Sequence, residues 1–322
     1  MTSASPVFIV GAPRSGTTLL YHMLLSAGGF AYYRAETHTY SLVGPRFGWL
    51  RSRRHREAFW ALARDGFLFE RASLSRDEAR SIVLEAKDTG SFLETFMAAI
   101  CRQQGVDRWA ECTPDHALFL RKIGEDFPGA RFIHILRDGR DVALSLARQG
   151  WIRPLPFDPL PPEVAAGFYW EWLVRQARRG GKHLAGRFLE IRYEDLVRKP
   201  ERTLAAVGAF IGANIDYDTV RENAIGSVSK PNTSYPGDRD GSPLERWRRA
   251  DPVLRGHLWS AVGATLETLG CEPDRGAAAS SALHATWKPA YRALFTTKHW
   301  LRNGTPLGQR LVQAHLLEEK NP

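Results

Sequence analysis

The stretch Gly11-Ala-Pro-Arg-Ser-Gly-Thr-Thr18 follows the apolar run Val7-Phe-Ile-Val10 and leads into Leu19-Leu-Tyr-His-Met-Leu-Leu25. Strand, glycine-bounded turn and helix in that order expose backbone N–H groups at the positive end of a helix dipole, which makes an anion site. The outline G-x-x-x-x-G is that of a phosphate-cradling loop, yet Thr17 stands where nucleoside triphosphatases carry a lysine. That lysine reaches the β- and γ-phosphates, so its absence argues against ATP or GTP chemistry. Arg14 brings a fixed positive charge into the loop instead, and Ser15, Gly16, Thr17 and Thr18 complete it. A sulfuryl group suits such a loop, because a transferring SO3 carries less negative charge than PO3. Taken alone, the stretch also reads as an ordinary βα turn.

Working outward, short apolar runs alternate with helical stretches. Val7–Val10, Arg131–Leu136 and Phe188–Arg192 read as buried strands, and Thr17–Ala27, Asp138–Arg148 and Pro200–Gly212 as helices. Helical insertions are expected at Arg54–Arg64, Ser75–Lys87, Ser91–Gln103 and Pro162–Arg178. This alternation predicts an α/β chain, a P-loop-like three-layer fold with a central parallel sheet flanked by helices. Residues 1–322 form one expected domain, with insertions at about 50–105 and 150–180 and a helical tail at about 280–322. Ser227–Pro243, rich in Gly, Pro and polar residues, is a linker or a functional loop.

The second motif is Phe132-Ile-His-Ile-Leu-Arg-Asp-Gly-Arg-Asp-Val-Ala-Leu-Ser-Leu146. Arg137 falls at the carboxyl end of a strand, where open α/β sheets bind their ligands. Ser145 lies two helical turns on, so both side chains reach toward one phosphate. The competing reading pairs Arg137 with Asp138 or Asp141 and turns Ser145 to solvent.

With both motifs the chain resembles the sulfotransferases that use 3′-phosphoadenosine-5′-phosphosulfate (PAPS), and most of all the bacterial branch that includes the tyrosylprotein sulfotransferases. The resemblance extends through Trp109-Ala-Glu-Cys-Thr-Pro-Asp-His116, Arg192-Tyr-Glu-Asp-Leu196 and Leu244-Glu-Arg-Trp-Arg-Arg249. It implies that Arg14, Ser15, Gly16, Thr17 and Thr18 grip the 5′-phosphosulfate, and Arg137 and Ser145 the 3′-phosphate. A loop at Ser242–Arg249 would fold over the nucleotide, with Arg246 or Arg248 on a phosphate; Trp247 is either part of that site or a core anchor. Arg192 and Tyr193 line the adenosine pocket, or else Tyr-Glu-Asp-Leu is a helix start. The product is PAP, and no metal is expected.

Transfer to an acceptor needs a general base. The resemblance puts a glutamate after the first helix, where Tyr33-Arg-Ala-Glu-Thr-His38 supplies Glu36, with His38 competing for the role. Arg14 is the expected electrophilic partner. His134 and His116 read as structural, His116 orienting its loop. Relatives carry a lysine in an E-K-T-P motif, whereas this chain reads Glu111-Cys112-Thr113-Pro114, and a thiol cannot supply that charge. A P-loop small-molecule kinase and a nucleotide-binding protein without turnover are the alternatives.

Composition bounds the partners. The chain has 322 residues, 43% hydrophobic and 25% charged, with a net charge of +9 that suits a polyanionic ligand. The basic residues form no long tract, which argues against nucleic acid. Three cysteines and no C-x-x-C pair exclude a disulfide framework and a structural zinc, and a cytoplasmic location is expected. The acceptor is a small molecule, glycan or peptide. Aromatic-rich segments at 30–49 and 150–172 are a pocket, a lid or core, and the basic, aromatic tail from Trp287 to Arg310 suits a membrane surface or a partner.

Overall fold

A computed structural model describes residues 4–229, 243–271, 273, 281–305 and 308. Strands β1 (Val7–Gly11), β2 (Ala110–Glu111), β3 (Arg131–Leu136) and β4 (Phe188–Arg192) make one sheet in the order β2-β1-β3-β4. Every pairing is parallel, with Gly11 opposite Ile135 and Leu136 opposite Arg192.

Helices cover both faces, which is why β1 is an unbroken apolar run rather than an alternating one. Val7 and Ile9 pack with α1 (Thr17–Ala27) and α7 (Pro200–Ile211) through Leu20, Leu24, Leu204 and Val207. Phe8 and Val10 face the opposite way, into a larger core. That core holds α2 (Arg53–Ala63), α3 (Arg76–Glu85), α4 (Thr89–Gln104), α5 (Gly139–Gln149) and α6 (Pro162–Gly181). Two later helices, α8 (Pro252–Glu267) and α9 (Ser281–Gly304), close it. No described helix is long and apolar enough to cross a membrane.

The expected strands and insertions are present within a few residues of their expected ends. Strand β2 was not anticipated: two residues carry no periodicity, and its pairing with β1 defines it. Of the aromatics at 150–172, Phe168, Trp170 and Trp172 are core, whereas Trp151 and Phe157 project into solvent. Residues 230–242 of the Gly/Pro-rich segment and most of the tail beyond 305 lie outside the described residues.

Candidate active site

The register sets the site. Because β1, β3 and β4 are parallel and aligned, their carboxyl ends deliver the 12–16 loop, Arg137 and Tyr193 side by side. The chain leaves β1 toward β2 at one edge and β3 toward β4 at the other, the reversal that opens a ligand crevice between β1 and β3.

The loop is shaped for close approach. Gly16 has φ +96°, and a Cβ there would lie 2.2 Å from the Tyr193 ring, so only glycine fits. Arg14 also has positive φ, at 71°, and its Nε donates to Ser145 Oγ at 3.0 Å. Arg137 Nη1 donates to the Arg14 carbonyl at 3.0 Å and Nη2 to the Pro243 carbonyl at 2.6 Å. The Arg137 guanidinium lies 4.7 Å from the centre of the Tyr193 ring, and its buried Nε has no hydrogen-bond partner. Arg137 thus meets the first loop, which reaches the second motif's serine through Arg14, and a long 3.7 Å contact joins Arg137 to Asp141.

These side chains line a cavity of about 630 Å³. Arg14, Gly16, Thr17, Thr18, Arg137, Ser145, Tyr193 and Arg246 all line it. Ser15 does not; it is buried, and its backbone N–H closes the turn onto the Ala12 carbonyl. Arg192 is turned away: it donates to Glu194, to the Leu269 carbonyl and, at 3.2 Å, to Cys271 Sγ. Arg248 is also outside, donating to Glu245 Oε2 at 2.9 Å. Trp247 is a buried anchor with the Arg140 guanidinium 3.4 Å from its ring centre, and its backbone N–H donates to Asp141 Oδ1 at 2.9 Å. Tyr217, Arg221 and Ser227 line the cavity without having been expected, since no motif marks them. His22 Nδ1 accepts the Ser227 N–H at 3.0 Å, which seats that turn on α1.

Glu36 and His38 are not among the residues that line the cavity; His38 Nε2 lies 3.4 Å from Glu36 Oε2. Burial, then the Asp115 and Glu111 carboxylates, pushes the Glu36 carboxyl up to about 8. Burial likewise pushes His38 down to about 4. The Cys112 thiol bridges the two regions: it is buried, hydrogen-bonded to Thr17 and within electrostatic range of Glu36. Burial and those carboxylates raise its pKa, so it remains a neutral thiol. The missing lysine position therefore lies between the phosphate loop and Glu36.

His116 and His134 are both buried and both bonded to carboxylates, Glu111 at 2.8 Å and Glu190 at 2.9 Å. His134 lies within strand β3 and is not among the residues that line the cavity.

The model of the sulfotransferase family matches residues 6–217, two thirds of the chain. The chain belongs to the sulfotransferase family. Among solved structures, the sulfotransferase domain of the Synechococcus PCC 7002 olefin synthase is similar at TM-score 0.53 and 20% identity, covering 85% of this chain and 98% of that one. Sulfotransferase STF9 from Mycobacterium avium gives a TM-score of 0.48 at 16% identity, covering 84% and 78% respectively. No curated protein matches the chain. The family assigns sulfotransferase activity to this P-loop-like fold and sets the kinase alternative aside.

Proposed function

We propose that this sulfotransferase transfers a sulfuryl group from PAPS to a hydroxyl or amine of a small-molecule, glycan or peptide acceptor, with Glu36 as general base. The observation that carries the donor is the meeting of two anion-binding motifs, more than 120 residues apart, in one cavity: Arg14 on Ser145 and Arg137 on the Arg14 carbonyl. The residues fit a nucleotide with phosphate at both ends. Gly16 lets the Tyr193 ring close on the loop, the Arg137 Nε lacks a partner, and the same ring lies beside that guanidinium. Arg14, Thr17 and Thr18 would hold the phosphosulfate end, and Arg137 and Ser145 the 3′-phosphate, with Arg246 at the rim.

Bound PAPS supplies an activated sulfuryl group and leaves as PAP. Glu36 takes the acceptor proton as the new bond to sulfur forms. Its pKa near 8 suits a base working near neutrality, whereas an imidazole held near 4 is too weak for that role. His38 instead contacts the carboxyl and fixes its orientation. Thr17, at the helix start and in the cavity lining, would donate to the sulfuryl oxygens where the lysine of relatives is absent. One domain carries all of these parts.

Calorimetry with PAP and ATP tests the donor. PAP binds and ATP binds much more weakly, and Arg137→Ala costs about 2–3 kcal/mol of PAP affinity. Equal binding of ATP, or an Arg137→Ala protein with unchanged PAP affinity, overturns the assignment. Bound PAP with no transfer to any acceptor or to water would instead make the chain a nucleotide-binding protein.

A further inference from the structure

The Glu111–His116 segment reads in sequence only as a departure from a lysine motif, yet its side chains form a ladder. Three backbone N–H groups of the loop after Glu36 each donate to a different side chain of that segment. Thr37 N–H goes to Glu111 Oε1 at 3.4 Å, His38 N–H to Thr113 Oγ1 at 3.3 Å, and Tyr40 N–H to His116 Nε2 at 3.2 Å. The three acceptors are joined to one another through Glu111. Its Oε1 accepts from the Thr113 and Thr37 hydroxyls at 2.5 and 2.8 Å, and its Oε2 from Thr113 N–H at 3.2 Å and His116 Nδ1 at 2.8 Å.

Counting donors fixes the protonation state. Five hydrogen bonds point at one carboxylate that is 2% exposed, so Glu111 is ionised. Tyr40 N–H donates to His116 Nε2, and His116 Nδ1 faces Glu111. The result is a buried anion held by five hydrogen bonds. His38 lies in this ladder with φ +48°, a left-handed conformation that a non-glycine residue keeps only when its neighbours hold it.

We infer that Glu111, Thr113 and His116 are positioning residues: they fix the backbone that carries Glu36 and His38, and they set a buried negative charge near Glu36. The inference rests on Glu36 being the base. Burial favours a neutral Glu111, but the charge attraction of His116, then the bonds from His116, Thr113 and Thr37, outweigh it and keep the carboxyl low. The charged and titratable groups around the pair are Asp115, Glu111 and Cys112 near Glu36, and Asp115, His116, Glu111 and Arg302 near His38.

Two readouts that need no identified acceptor test this. One is titration of the Glu36 carboxyl by 13C NMR of glutamate-labelled full-length protein, assigned by difference with Glu36→Gln. The other is sulfate release from radiolabelled PAPS with water as acceptor. Glu111→Gln removes the anion, so the Glu36 midpoint falls by roughly one pH unit. If that variant does not fold, Thr113→Val keeps the side-chain shape and removes only the hydroxyl. It should expose the His38 amide to hydrogen exchange and cut sulfate release about tenfold, with Thr113→Ser restoring both.

An unmoved midpoint in folded Glu111→Gln, or unchanged His38 exchange and sulfate release in Thr113→Val, overturns the inference. Sulfate release that survives Glu36→Gln sinks the base assignment instead, and leaves the NMR result for Glu111 standing.

Discussion

Glu36 has its carboxyl at a half-buried position, within electrostatic range of the Asp115 and Glu111 carboxylates, where ionisation is disfavoured. Folding raises its pKa from the ordinary 4.5 to about 8, so across that interval the folded state holds a proton that the unfolded chain has lost. Stability from this group is present below pH 4.5 and drains away as pH rises to 8. Glu36→Gln should therefore melt at a higher temperature than the parent at pH 9 and at nearly the same temperature at pH 4, as read by circular dichroism. Equal melting at pH 9 would mean that solvent relaxes the carboxylate. At this scale the sequence was partly readable. Arg14 and Arg137 could be picked out because a strand end and a glycine loop fix where they point. Arg192 could not, because its direction is set by Leu269 and Cys271, nearly eighty residues further along.

The 3-10 turn at Arg246–Arg249 shows what an element takes from tertiary contacts. Trp247 lies under it against Arg140, which is itself paired with Asp138 at 2.6 Å, while Asp141 holds the Trp247 N–H. That stack seats the Pro243 carbonyl on Arg137 and leaves Arg246 at the cavity. Trp247→Ala should cost about 3–5 kcal/mol in urea unfolding and lower PAP affinity in the folded fraction. A folded Trp247→Ala protein with full PAP affinity would uncouple the turn from the nucleotide. Strands β1 and β3 and helices α1 and α5 were legible because burial imposes a periodicity on long apolar runs. The π-helical turn at Thr39–Val43 was not, since it follows directly on the left-handed His38 and carries no pattern of its own.

Across the whole molecule, a net charge of +9 and a cavity lined by Arg14, Arg137, Arg221 and Arg246 set the response to salt. PAP affinity should fall several-fold between about 50 and about 500 mM sodium chloride, and faster with sulfate, which competes for the same donors. An affinity indifferent to salt would argue against the arginines as the main ligands. The parallel sheet has a further consequence, in the order of synthesis. Strand β1 leaves the ribosome first, but its two neighbours begin at Ala110 and Arg131. At about 5–20 residues per second it waits on the order of ten seconds, apolar on both faces and with both edges unpaired. Yield of native protein is thus governed by how well nascent Val7–Val10 is shielded until Leu136 has been made.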